Sequence, residues 1–236
     1  MKKLGFDLDE LNHGYVSDII ENYGIEVKYP DSQKVFNVLL ENKQLLPTLR
    51  IKGAVTFDEY IKRWFLAYNG GFESRPSVKV GKESGTIPDE IVKVLMAYHF
   101  DLEADEASKM EAAHAIMMTL ENLTGELLEE YLDFRLKEYG WLCAWGSTIR
   151  AVDFCHPTKG MLQVKNSDNS ENSSSSSIRE GTDIQKWFRR FSRKRGEYNW
   201  ASLVELTGCD YLSEYDFRKY STEVLKRNPR AIATKL

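Results

Sequence analysis

The sequence predicts an α/β protein: a small, mostly antiparallel sheet flanked by helices, joined to a largely helical N-terminal half. Three observations predict it. Up to residue 139, apolar side chains recur at three- and four-residue spacing. After Gly140 the pattern turns aromatic and β-branched with alternation, and helical spacing returns towards the C-terminus. With 236 residues and 42% hydrophobic content the chain has enough apolar mass for a proper core.

In order along the chain, YVSDIIENYG (15–24), DSQKVFNVLLENKQLL (31–46) and TFDEYIKRWFLAYNGG (56–71) predict three helical segments, each closed by a turn signal. RPSVKVGKESGT (75–86) reads as a loop or a short strand pair. IPDEIVKVLMAYHF starts a helix with Pro88 at a natural first-turn position, and EADEASKMEAAHAIMMTLENL predicts a strong one. After Thr124-Gly125 comes another helix, ELLEEYLDFRLKEYG. His99 and His114 are expected to pack or face solvent rather than ligate, and Met117 and Met118 to be core. WLCAWGSTIRAVDFC, the turn HPTKG and the alternating MLQVKNS then predict strand, turn, strand. Helices are expected again at about 182–195, 199–207 and 213–227. The expected organisation is a helical region, 1–120, packed on a core of 121–236.

Composition excludes several classes. There is no apolar run near 18 residues, and the N-terminus reaches Asp7 and Asp9 before a signal-peptide core could form. This predicts a soluble cytoplasmic protein without membrane association. Cys143, Cys155 and Cys209 are odd in number and lack metal-ligand spacing, so reduced structural thiols are expected. Neither a P-loop nor a Rossmann glycine pattern occurs. Net charge is −4 but unevenly spread: residues 1–150 hold 17 Lys/Arg against 25 Asp/Glu, whereas residues 151–236 hold 15 against 11. The basic residues concentrate in IREGTDIQKWFRRFSRKRG, where Lys186, Arg189, Arg190, Arg193, Lys194 and Arg195 interleave with Trp187, Phe188 and Phe191. A solvated helix face is one reading; a face on an anionic partner is the other.

Chemistry concentrates on the predicted hairpin. Asp153 lies on its first strand, and ten residues later the second carries Gln163 and Lys165. These two share strand parity, so their side chains leave one face while Val164 leaves the other, and Asp153 across the hairpin can reach the Gln163–Lys165 face. A carboxylate, a second oxygen ligand and an ammonium converging at a strand end suit metal-assisted phosphodiester hydrolysis. Asp153 and the Val164 carbonyl would hold a hard cation such as Mg²⁺, and Lys165 would orient the attacking water and offset phosphate charge.

Asp153 followed after ten residues by QVK resembles the active-site motif of the PD-(D/E)xK nuclease superfamily, with Gln163 where the family usually has an acid. The preceding ELLEEYLDFRLKEYGW resembles the superfamily's first core helix, and QVKNSDNSENSSSSSIREGTDIQKWFRR resembles type II restriction endonucleases, most closely the SinI-like group that cuts GGWCC. The resemblance covers about residues 124–195. An amide at 163 brings no charge, so another acid is needed: Glu129 is preferred, with Glu130 and Glu126 as rivals. In this frame the polar run after Lys165 is a DNA-recognition segment, 166–195, rather than a flexible linker. Asn166, Asn169 and Asn172 can pair with adenine, Asp168 or Glu171 can accept from cytosine, Arg179 can grip guanine or phosphate, and Ser173 to Ser177 can bond phosphates. The resemblance implies Mg²⁺-dependent cleavage of both strands of double-stranded DNA at a roughly palindromic site, a homodimer, and a DNA methyltransferase as genetic partner. The rival classes are a non-catalytic DNA-binding protein in which Asp153 and Lys165 form a structural ion pair, a repair or junction nuclease, and a serine hydrolase, for which no nucleophile-elbow pattern exists.

Overall fold

A computed structural model describes residues 13–22, 24, 27–49, 56–82, 89–170 and 173–232. The helices of the first half are α1 (His13–Asn22), α2 (Pro30–Leu40), α3 (Phe57–Glu73), α4 (Glu90–Phe100) and α5 (Ala104–Leu136). Their starts follow from local chemistry. Pro30 occupies the first turn of α2. The Thr56 hydroxyl accepts from the Glu59 N–H at 3.4 Å, Asp89 from the Ile91 N–H at 3.1 Å, and Glu103 and Glu106 form a capping box. Pro88 and the tip of the 75–86 loop lie outside the described residues.

One break expected from the sequence is missing: α5 runs without interruption through Thr124-Gly125. An internal glycine costs a helix about 1 kcal/mol relative to alanine. Burial of Leu123, Leu127, Leu128, Tyr131 and Leu132 around it offsets that, since each large apolar side chain removed from water contributes roughly 1.5–3 kcal/mol.

The sheet has the order β1 (Leu142–Cys143), β2 (Phe154–His156), β3 (Gly160–Ser167), β4 (Ile184–Arg190). The first three are antiparallel neighbours and β4 adds parallel to β3, so the sheet is mixed. The predicted strand 141–155 is split in two. Gly146, Ser147 and Ala151 take positive φ between β1 and β2, and this loop is clamped to α3 by Trp64 Nε1 donating to the Thr148 carbonyl at 2.8 Å. α3 crosses so closely that a Cβ on Gly71 would overlap the Gly146 backbone.

The largest departure is β4, where the sequence predicts a helix. Ile184, Trp187, Phe188 and Phe191 fit helical spacing, but the segment pairs from Met161↔Ile184 to Ser167↔Arg190. Trp187 and Arg189 leave one face and are buried, whereas Lys186, Phe188 and Arg190 leave the other. A parallel neighbour needs a crossover, and the serine run supplies it as the short helix α6 (Ser173–Arg179). Helices α7 (Trp200–Thr207) and α8 (Glu214–Arg227) stand where expected. They close an aromatic cluster in which Trp187 lies 5.1 Å from Trp200, and Tyr131 5.4 Å from Phe217. One contiguous core joins these groups to Phe36, Trp64, Phe65 and Tyr68 of the N-terminal helices. Cys143, Cys155 and Cys209 are free and buried within it. Met117 and Met118 are not core, being 55% and 37% exposed.

Candidate active site

Continuing the register Phe154↔Leu162 by one step sets Asp153 opposite Gln163, on the face that Lys165 shares. The Asp153 N–H donates to the Leu162 carbonyl at 2.9 Å and its carbonyl accepts from Ala144 at 2.8 Å, so its backbone is held on both sides. Its Oδ2 accepts from the Val164 N–H at 2.7 Å. α5 brings Glu129 to this group. Burial, then the charges of Asp153 and Glu126, push its carboxyl up to about 8, with Lys165 pulling it back. Asp153 is raised too, chiefly by burial, against the Val164 N–H and Lys165. Both carboxyls resist ionising chiefly because they are buried, and Glu129 additionally because Asp153 and Glu126 lie near it, with one lysine beside the pair.

Of the three candidate acids on α5, Glu130 is turned elsewhere, accepting from the Ser77 N–H at 3.1 Å and from the Ser77 hydroxyl. Glu126 pairs with Lys79 at the rim. A cavity of about 200 Å³ is lined by Glu126, Glu129 and Asp153, and also by Arg75. Sequence reasoning missed Arg75, which sits on a loop with no motif about it. Its guanidinium lies 3.4 Å from the centre of the Phe72 ring and 4.0 Å from Glu130, and its buried Nε has no hydrogen-bond partner among the described residues.

Gln163 is buried, and Arg179 of α6 donates to its Oε1. Arg179 is therefore drawn to the strand beside Asp153 rather than presented to a groove. Arg189 lies inside the fold. It is 7% exposed, bonded to both Glu214 oxygens at 2.7 and 2.8 Å and to Asn166 Oδ1 at 2.9 Å, with its guanidinium 5.1 Å from the Phe217 ring. Arg189 and the Asn166 oxygen are thus engaged with each other, and Arg189 with Glu214, within the chain. Asp168 Oδ1 accepts from the Ser192 N–H at 2.8 Å, which braces the turn after β4, and the Ser192 side chain, followed by this N–H, holds its carboxyl below the usual range. Lys186 is half-buried beside Gln163, Asn169, Arg190 and Arg193 are exposed, and Ser173 opens α6. Glu171 and Asn172 lie outside the described residues. His156 closes its own turn, its Nδ1 accepting from Thr158 and Lys159 at 3.1 and 3.0 Å, so it activates no serine.

No group of three His, Cys, Asp or Glu side chains among the described residues is disposed to hold a metal alone. The oxygen donors that do line one cavity here are the Glu129 and Asp153 carboxylates, hard ligands whose raised pKa values a cation would relieve. This suits an ion that keeps several waters, such as Mg²⁺.

A mixed sheet flanked by helices that gathers an α5 carboxylate, an aspartate and a lysine at the strands β2 and β3 has the form of a PD-(D/E)xK nuclease core. The chain belongs to the SinI restriction endonuclease family, whose model matches residues 29–227, a span that contains the 124–195 segment carrying the resemblance and extends beyond it on both sides. It is 41% identical over 147 residues to the type II restriction enzyme SinI of Salmonella infantis, a match covering 60% of this chain and 64% of that one. It is 39% identical over 140 residues to the type II restriction enzyme Eco47I of Escherichia coli, covering 57% and 60%. The chain thus spans less than two thirds of the length of either relative.

Proposed function

We propose that the protein is a type II site-specific deoxyribonuclease that hydrolyses both strands of double-stranded DNA with Mg²⁺, at a short two-fold symmetric site of the form GGWCC. The observation that carries this is the meeting of Glu129, Asp153 and Lys165 at β2 and β3 in a chain of a restriction endonuclease family. Glu129, Asp153 and the Val164 carbonyl are the residues that would hold the ion, which when bound supplies charge for the phosphate oxygens and lowers the pKa of water. Lys165 sets an ammonium beside the reacting phosphate and orients water through its N–H donors. Asp153 is itself oriented by the Val164 N–H. Gln163 holds Arg179 in place, adding a fixed cation next to the site. Exposed Arg190, Arg193, Lys194 and Arg195 contact phosphates and set the duplex in register.

Cutting a two-fold site with one active site per chain requires a homodimer, and host DNA then requires a methyltransferase that protects the same sequence. The test is digestion of a plasmid of known sequence with Mg²⁺, followed by mapping of the ends. Fixed 5′-phosphate ends at one short motif support the proposal; random nicks, or no cutting, defeat it.

A further inference from the structure

The α4–α5 hairpin carries an apolar surface that the folded chain leaves uncovered. α4 has the composition of a core helix, EIVKVLMAYHF, yet none of its residues is buried. Ile91, Val94, Leu95 and Phe100 are 53–60% exposed, and Tyr98 is 90% exposed. On the first half of α5 only Ala107 is buried, while Met110, Met117 and Met118 face out. The C-terminal half of the same helix is buried against the sheet and α8. α5, with 33 residues and so roughly 50 Å long, therefore leaves the body half-way along and carries α4 on its projecting end. Soluble chains rarely leave a contiguous apolar patch this size without an occupant.

We infer that this projecting hairpin is the interface between two copies of the chain, packing on its two-fold mate as a four-helix bundle. The area is sufficient: the exposed parts of these apolar side chains together amount to on the order of 1,000 Å², against about 800 Å² per partner in a stable interface. Charge permits it. Between its caps α4 holds one acid, Glu90, and one base, Lys93, so two copies of α4 bring no net charge together, while the first half of α5, with Asp105, Glu106 and Glu111 against Lys109, makes the hairpin repel a polyanion. An isologous contact also needs one self-complementary patch only, and two antiparallel hairpins meeting at a dyad form a bundle with helices on all four corners. The choice of a second copy as occupant rests on the proposed cleavage of a two-fold site; the uncovered surface does not.

The test is sedimentation of the full chain without DNA, wild type against Leu95→Glu combined with Tyr98→Glu, with Lys62→Glu on the exposed side of α3 as a control for added charge. Both altered side chains are already in solvent, so far-UV circular dichroism is expected to be unchanged. The wild type and the control are expected to be dimers at micromolar concentration, and the double variant a monomer with self-association weakened at least about a hundredfold. A monomeric wild type, or a double variant that still dimerises, overturns the inference. Because sedimentation needs no catalysis, a dimer that fails to cut plasmid would count against the nuclease reading alone.

Discussion

At the residue scale, the candidate site separates charge that binds the ion from charge that binds phosphate, and substitutions should separate them too. Asp153→Asn is expected to abolish cleavage while keeping or strengthening metal-free DNA binding, because a carboxylate facing phosphate becomes neutral; gel shifts with and without Mg²⁺ check it. Gln163→Glu places an acid beside Arg179, so the pair should tighten first. If the acid also reaches the ion, the Mg²⁺ concentration for half-maximal cleavage falls, and an unchanged requirement assigns position 163 to holding Arg179. The Glu129 carboxyl gives a pH signature. Its folded pKa lies above the unfolded value, so between about 4.5 and 8 the folded state holds a proton that the unfolded state has lost. Its contribution to stability therefore diminishes as pH rises through that window. A cation needs the ionised form, so Mg²⁺ should raise Tm more at pH 8 than at pH 6, and Glu129→Gln should flatten that difference in thermal melts. That Asp153 and Lys165 come near one another was legible in the sequence, because strand parity and a tight hairpin are local rules, whereas Glu129 on α5 was one choice among three helical acids. Arg75 was not legible, since its place in the cavity depends on the crossing of α3 over the β1–β2 loop, a contact no nearby residue encodes.

At the element scale, β4 shows why a periodic pattern can mislead. Ile184, Trp187, Phe188 and Phe191 satisfy helical spacing, and two consecutive arginines argue against burial. What decides for a strand is remote: the free edge of β3, and Glu214, which neutralises Arg189 from 25 residues downstream. The serine run was similarly ambiguous, because only a parallel β4 requires the crossover that α6 provides. By contrast α7 and α8 were legible, as Gly208 and the Ser213 cap punctuate them in sequence. If Arg189 serves the fold rather than DNA, Arg189→Ala leaves the largely buried Glu214 carboxylate without its buried counter-charge and strips stacking from Phe217 and Tyr198. Breaking a buried pair on one side costs about 3–5 kcal/mol. In a chain of this size that lowers Tm by about 10 °C, whereas the exposed neighbour Arg190→Ala should move it little; calorimetry of both variants decides.

For the whole molecule, the two halves divide charge as they divide structure. The helical half is acidic, the half that holds β3, α6 and β4 is basic, and one core fuses them, so the proposed duplex would be drawn to the second half rather than the first. The projecting α4–α5 hairpin lies in the acidic half and the exposed cations Arg190, Arg193, Lys194 and Arg195 in the basic one, so the proposed self-association and the proposed DNA contact draw on different parts of the chain. Lys194 is paired with Glu197 at 3.2 Å across an exposed turn, a contact too screened to keep it from phosphate. Replacing Arg193, Lys194 and Arg195 together with Ala should then flatten the dependence of log K on log salt by up to about 0.9 for each phosphate no longer neutralised. Site preference should stay as it was, because phosphate contacts position without reading bases. Tm should be unaffected, unlike in Arg189→Ala, and so should sedimentation as a dimer. Binding isotherms on a GGWCC duplex and on a scrambled duplex across a salt series measure both quantities. An unchanged slope would show that the turn after β4 is only a solvated surface, and a flattened slope with altered site preference would move these cations from the backbone to the bases.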